Sequence, residues 1–165
     1  MFGDGARETD RLLGLFFLAW RGFVAEADAL LEPHGLGRLH HRILYAVVRL
    51  PGVGVGDLAA TLGITRQALH GPLAELERRR LVARTVSKES ARERLLFVTK
   101  RGASLEDAAS SAQRAQLERV FAELGPEAAK GWGAVMRALA AEVTANLPRV
   151  PPPPRARRRH RAPPG

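Results

Sequence analysis

Apolar residues recur at helical spacing from the start of the chain. Leu13, Phe17, Trp20, Val24, Ala27 and Leu31, broadened by Leu12, Phe16 and Phe23, predict a helix over residues 8–32. So wide a stripe needs cover on more than one side, and in a chain of 165 residues a second subunit is a natural source of it. Gly35 and Gly37 interrupt the pattern, after which Leu36, His40, Ile43, Val47 and Leu50 are expected to share one face of a second helix that Pro51 and Gly52 end. A short helix fits residues 57–62 and a turn fits Gly63 and Ile64. Thr65 can then cap the next helix through its hydroxyl. In that helix Leu69, Leu73 and Leu76 form a narrow inward stripe, which leaves Arg66, Gln67, His70 and Ala74 facing outward.

Residues 81–86 and 94–98 read as two short strands around the polar stretch 87–93. A long alanine-rich helix is predicted over 104–124, ending in Leu117, Val120, Phe121 and Leu124. Gly125 and Pro126 restart the chain, proline being suited to a first helical turn. Trp132, Val135, Met136, Leu139, Val143 and Leu147 are expected to form the buried face of the last helix. From Pro148 onward the chain is mostly proline and arginine, a composition that cannot offset the entropy of ordering, so residues 148–165 are expected to be a disordered tail. The predicted fold class is mainly α with a small β-hairpin.

A hydrophobic content of 45% is enough for one core. The absence of cysteine excludes disulfides, thiolate metal sites and catalytic or redox-sensing thiols, and it permits a reducing, cytoplasmic setting. The longest apolar run, residues 12–20, is broken by Arg21 and falls short of the roughly 20 residues of a membrane-spanning helix. It also follows Asp4, Glu8 and Asp10, where a signal peptide would carry bases, so no membrane association is expected. The net charge of +9 is less informative than its distribution, because Arg149, Arg155, Arg157, Arg158, Arg159 and Arg161 lie in the acid-free tail. Between Thr65 and Arg101 ten basic residues stand against four glutamates, which marks that segment as the candidate polyanion site.

The histidines do not suggest a metal site. His40 and His41 point about 100° apart on a helix, and His34 and His70 lack ligand spacing. No paired carboxylates or nucleophile and base can be assembled, and Gly52, Gly54 and Gly56 lack the strand context of a phosphate-cradling loop. Neither an enzyme nor a cofactor is expected.

The order of elements, the segment GVGDLAATLGITRQALHGPLAELERRRLVAR (54–84) and the strand ending LLFVTKRG (95–102) resemble the MarR family of transcriptional regulators over residues 8–147. The resemblance implies a winged helix-turn-helix DNA-binding lobe over 36–102 and dimerisation helices over 8–35 and 103–147. It implies a homodimer on double-stranded DNA, acting as a repressor at a palindromic operator and released by a small aromatic or phenolic effector. Thr65, Arg66, Gln67 and His70 would then enter a major groove, and Lys88, Arg92 and Arg94 would contact DNA from the wing. Trp20, Arg21, His40 and Tyr45 would line an effector pocket between the two regions. His40 is equally read as an ordinary core histidine, and the charged hairpin as an ordinary solvated one.

Three positions depart from the family pattern. The Thr-Arg or Ser-Arg pair common within the recognition helix is replaced by His70 and Gly71, and Pro72 follows, a residue that ends or kinks helices. The acidic partner of the wing arginine is Ser90, and the glycine that usually closes the recognition helix is Arg80. Loss of the reading arginine leaves open a rival function, a sequence-tolerant architectural protein that coats DNA through its basic lobe and tail. The tail itself is either a source of non-specific phosphate contacts or a solubilising end. If Arg92 contacts DNA, Arg92→Ala weakens binding and flattens its dependence on salt concentration; an unchanged salt slope rejects that role.

Overall fold

The structure, a computed structural model, describes residues 7–86 and 94–145. Helix α1 (Glu8–Leu31) leads through a single 3-10 turn to α2 (Arg38–Arg49). There follow strand β1 (Val53–Gly54), helices α3 (Val55–Leu62) and α4 (Arg66–Arg78), and strands β2 (Val82–Val86) and β3 (Arg94–Val98). Helices α5 (Lys100–Leu124) and α6 (Pro126–Ala145) complete the described chain. The sheet is antiparallel with order β1-β3-β2, pairing Val82 with Val98, Val86 with Arg94, and Val53 with Leu96. Strand β1 was not expected, since its two residues gain their extended form only by pairing with β3. Among the described residues no helix is long and apolar enough to cross a membrane. The wing positions Lys88, Ser90 and Arg92, Leu147 and the tail 148–165 lie outside the described residues.

The core forms where α1 ends and α2, α3, α4 and the sheet converge. Leu31, Ile43, Leu44, Val47, Val53, Leu58 and Leu96 are buried there around the inward stripe of α4, whose Leu69, Leu73 and Leu76 are at most 1% exposed. At about 2 kcal/mol per leucine, burial of those three fixes the rotation of α4 about its own axis. The two helices of the helix-turn-helix, α3 and α4, are held by local bonds. Gly63 adopts φ +66 at the end of α3, Arg42 donates to the Leu62 carbonyl at 2.7 Å, and the Thr65 hydroxyl accepts from the Ala68 N–H at 3.1 Å.

Pro72 does not end α4, which runs on to Arg78. The proline leaves the Ala68 carbonyl without its helical donor, but Ala68 is exposed and water can take that place. The helix closes in a Schellman motif, with the Leu81 N–H donating to Leu76 and the Arg80 N–H to Glu77. This puts Arg80 at φ +58, the single non-glycine residue in the left-handed region among those described. A side chain there costs about 1–2 kcal/mol, which glycine would avoid. The next joint is tight as well. The Thr99 hydroxyl donates to the Arg80 carbonyl at 2.8 Å and accepts from the Gly102 N–H at 3.1 Å, and a Cβ on Gly102 would lie 2.0 Å from the Leu81 carbonyl oxygen. Thr99 therefore caps α5 four residues earlier than the alanine pattern indicated.

Two expected faces are left uncovered by the described residues. In α1 only Val24, Ala27 and Leu31 are buried, while Leu13, Phe17 and Trp20 are exposed. The stripe of α6 is exposed too: Trp132, Val135, Leu139 and Val143 are 46–65% accessible, and the Trp132 ring lies beside that of Phe121, at 5.8 Å between centroids. The stripe expected as the buried face of α6 is thus exposed in the single chain. Its periodicity is present, but the described residues leave that face largely exposed.

A second correction concerns the histidines. His40 is not on the buried face; its Nδ1 accepts from the Gly37 N–H at 3.0 Å and so satisfies a free donor at the start of α2. His41 is the buried one, 3.2 Å through Nε2 from the Ser110 hydroxyl of α5. Ser110 donates its single hydrogen to Glu106 at 2.6 Å, so His41 must be the donor to Ser110, which fixes the neutral imidazole with its proton on Nε2. Arg49 completes the chain by donating to Glu106 at 2.9 Å. Burial pushes the His41 imidazole below its ordinary value of 6.5, with Arg49 adding to the shift and Glu106 and Asp28 opposing it. Because the unfolded chain binds the proton more readily, stability is full above the ordinary value of 6.5 and is lost as the pH falls below it, through the lowered value of the folded imidazole. Urea titrations across that window should show this loss, and a smaller one in His41→Gln; an equal loss in the variant contradicts the assignment.

Candidate nucleic-acid interface

With the leucines of α4 turned inward, the 3.6-residue repeat carries Thr65, Arg66, Gln67 and His70 to the surface, where all four are exposed. They lie on the first turns of a helix whose free N–H groups favour an anionic neighbour. Gly71, at the place of the family's usual arginine, is exposed as well and offers no side chain to a groove. The Arg66 guanidinium folds back over the start of α3; a Cβ on Gly56 would come within 2.5 Å of its Nη2. This closeness places Arg66 beside Arg84 and Arg94 around a concavity of about 430 Å³ that also borders Gly54 and Asp57. Arg84 is held there by a bidentate pair with Glu77 at 2.6 and 3.0 Å. Arg94 opens β3 at the base of the wing, opposite Val86. One cationic edge therefore runs from the start of α4 to the root of the hairpin.

The far end of α4 carries charge of a different kind. Arg78 and Arg79 share the Glu75 carboxylate, which hydrogen bonds from both hold at a pKa of about 2. Arg79 also donates to the His34 carbonyl, which ties α4 to the turn between α1 and α2. His40 lies near this pair, and its imidazole is held below its ordinary value by burial, with Arg79 contributing.

The four residues named for an effector pocket are not brought together. Trp20 lies on the exposed face of α1 near Phe23, Arg21 is exposed on the same helix, and His40 caps α2. Tyr45 does line a cavity of about 400 Å³, but its companions are His41, Arg42, Arg49, Leu62 and Gln113. Arg49 lies 3.4 Å above the Tyr45 ring centroid while its Nη1 holds Glu106. None of these partners was singled out from sequence. Arg42, Tyr45 and Arg49 follow one another at helical spacing, a sign of a shared flank of α2, but nothing marks Gln113 or Glu106 of α5 as their neighbours. Among the described residues no group of three or more His, Asp or Glu is placed to hold a metal ion.

The comparisons agree with this geometry. A sequence model of the MarR family matches residues 34–93. The HTH-type transcriptional regulator PetP of Rhodobacter capsulatus is 39% identical over 123 residues, which cover 74% of each chain. Streptococcus pneumoniae FabT, solved in complex with DNA, shares the fold with a TM-score of 0.74 at 16% identity, over 84% of this chain and 99% of that one. A MarR family protein of Mycobacterium tuberculosis, solved with salicylic acid, is 28% identical with a TM-score of 0.58, over 84% of this chain and 99% of that one. With its inward leucine stripe, winged sheet and a relative of this identity over three quarters of the sequence, the chain belongs to the MarR family of transcriptional regulators.

Proposed function

We propose that the protein is a homodimeric repressor that sets the outward face of α4 into the major groove of a palindromic operator. The observation that carries this reading is the exposure of that face: Arg66, once swung from the start of α3, and Gln67 suit bidentate contacts to guanine and adenine, and Thr65 and His70 flank them. In this reading Arg94, with Lys88 and Arg92 of the wing, supplies phosphate or minor-groove contacts. Residues 36–102 act as the DNA-binding lobe, and 8–35 with 103–147 as the dimerisation region. The exposed apolar faces of α1 and α6 support that division, since Phe17, Trp20, Leu139 and Val143 would be costly to leave in water. Two-fold symmetry then asks for half-sites about one DNA turn apart.

Selection from random duplex DNA at about 150 mM salt tests this, because non-specific binding is weak there. Enrichment of a palindrome is the expected result. Binding that appears only at low salt, with no enriched sequence, supports instead the architectural protein that the glycine at position 71 leaves open. On the selected site Gln67→Ala should cost about 1–3 kcal/mol and leave random-duplex affinity unchanged.

The effector, in the same reading, is a small aromatic acid held in the Tyr45 cavity, with its carboxylate on Arg42 and its ring against Tyr45 and Leu62. The salicylic acid bound by the Mycobacterium tuberculosis relative supports this class. Binding there would bias how α2 sits on α5, and with it the spacing of the two recognition helices. Salicylate should raise the thermal midpoint of the protein and weaken operator binding, and Tyr45→Ala should abolish both effects. A panel of aromatic acids that moves neither quantity sinks the proposal.

A further inference from the structure

A concavity larger than the Tyr45 cavity stands apart from it. It lies where the end of α1, the end of α4 and the start of α5 meet, encloses about 850 Å³, and is bordered by Arg78, Arg79, Arg80, Lys100 and Arg101. That volume falls within the range of small-molecule sites. Among the described residues a single carboxylate, Glu75, pairs with any of these five cations, and it is already shared by Arg78 and Arg79. Arg80, Lys100 and Arg101 have no anionic partner among the described residues. Like charges gathered in this way repel one another unless an anion joins them. Leu36, Leu81 and Leu105 supply apolar wall on the other side of the same space.

Arg80 gives an independent reason to read this as a binding site. The Schellman turn it occupies asks for glycine, and the chain instead holds an arginine at φ +58. Backbone strain kept in this way is characteristic of functional positions. The strained residue is also fastened: its carbonyl accepts from the hydroxyl of Thr99, the same hydroxyl that caps α5, whose first two residues are Lys100 and Arg101. The three unpaired cations therefore stand on one rigid joint, beside the free N–H groups of a 25-residue helix. Such preorganisation lowers the ordering cost of binding.

We propose that this pocket binds a small organic polyphosphate, with its phosphate chain on Arg80, Lys100 and Arg101 and its less polar part against Leu36, Leu81 and Leu105. A monoanion would leave most of the charge unmet. Bound here, such a ligand would join the end of α4 to the start of α5, a place separate from the Tyr45 cavity and independent of the effector reading given above.

Calorimetric titration of the full-length chain with sodium triphosphate and with ATP, at about 150 mM salt so that loose surface attraction is screened, tests the proposal. One molecule bound per chain is expected. Arg80→Gly should weaken it by about tenfold, and Lys100→Ala with Arg101→Ala should bring it below detection. Arg80→Gly should also raise the thermal midpoint, since it relieves the strained turn, so weaker binding by that variant is not a folding defect. ATP binding tighter than triphosphate, or equal to it, tells whether the leucine wall is used, and either result supports the site. Affinity unchanged in Arg80→Gly places the anion on the arginine-rich tail and overturns the proposal. It is overturned as well if neither anion binds while the same substitutions weaken duplex DNA, which makes the joint a DNA-backbone contact.

Discussion

Burial of Leu69, Leu73 and Leu76 is the constraint on which the rest of the molecule depends. These three side chains lie at the centre of a core built by α1, α2, α3 and the sheet, and together they allow α4 only one rotation about its axis. Once that rotation is set, the helical repeat decides which residues reach the solvent. Arg66, Gln67 and His70 are outside for the same reason that the leucines are inside. Thr65 fixes where the helix begins, and the turn at Gly63 fixes the direction from which it starts. The presentation of the candidate reading face is thus a packing result before it is an electrostatic one.

Two joints connect this lobe to the long helices. At one, Arg80, Leu81, Thr99 and Gly102 bring the end of α4 against the start of α5 so closely that only glycine fits at position 102. At the other, buried His41, Ser110 and Glu106 and the more exposed Arg49 make a polar chain between α2 and the middle of α5, with every member hydrogen-bonded. Such a chain holds one arrangement firmly, because moving either helix would leave buried polar groups unmet. Each joint adjoins a cavity. A ligand in either place would act on the relation between α4 and the long helices, which in the proposed dimer would set the half-site spacing.

Much of this was legible from the sequence, and the exceptions have physical causes. Helices α1, α2 and α4, the Thr65 cap and the two strands of the hairpin follow from periodicity and turn residues. The start of α5 was missed because Lys100, Arg101 and Gly102 look like loop, and only the approach to Leu81 explains the glycine. His40 was read for His41 because adjacent helical positions differ by about 100°, and a broad apolar face admits both. The stripe on α6 is amphipathic as its periodicity indicates, and periodicity reports that a face seeks a partner, not which surface supplies it. The outward face of α4 could be read locally. The Tyr45 cavity could not, because Arg42 and Gln113 meet only through the packing of α2 on α5.

The central claim is that the free face of α4 reads base sequence. A double-mutant cycle tests it most directly, with wild-type protein and Gln67→Ala each titrated against the selected operator and against operators changed at single base pairs. The account predicts that at one adenine position the base change costs the wild type about 1–3 kcal/mol and costs Gln67→Ala almost nothing more. Costs that simply add at every position would mean that Gln67 touches no base, and would contradict the assignment of this face as the reading surface.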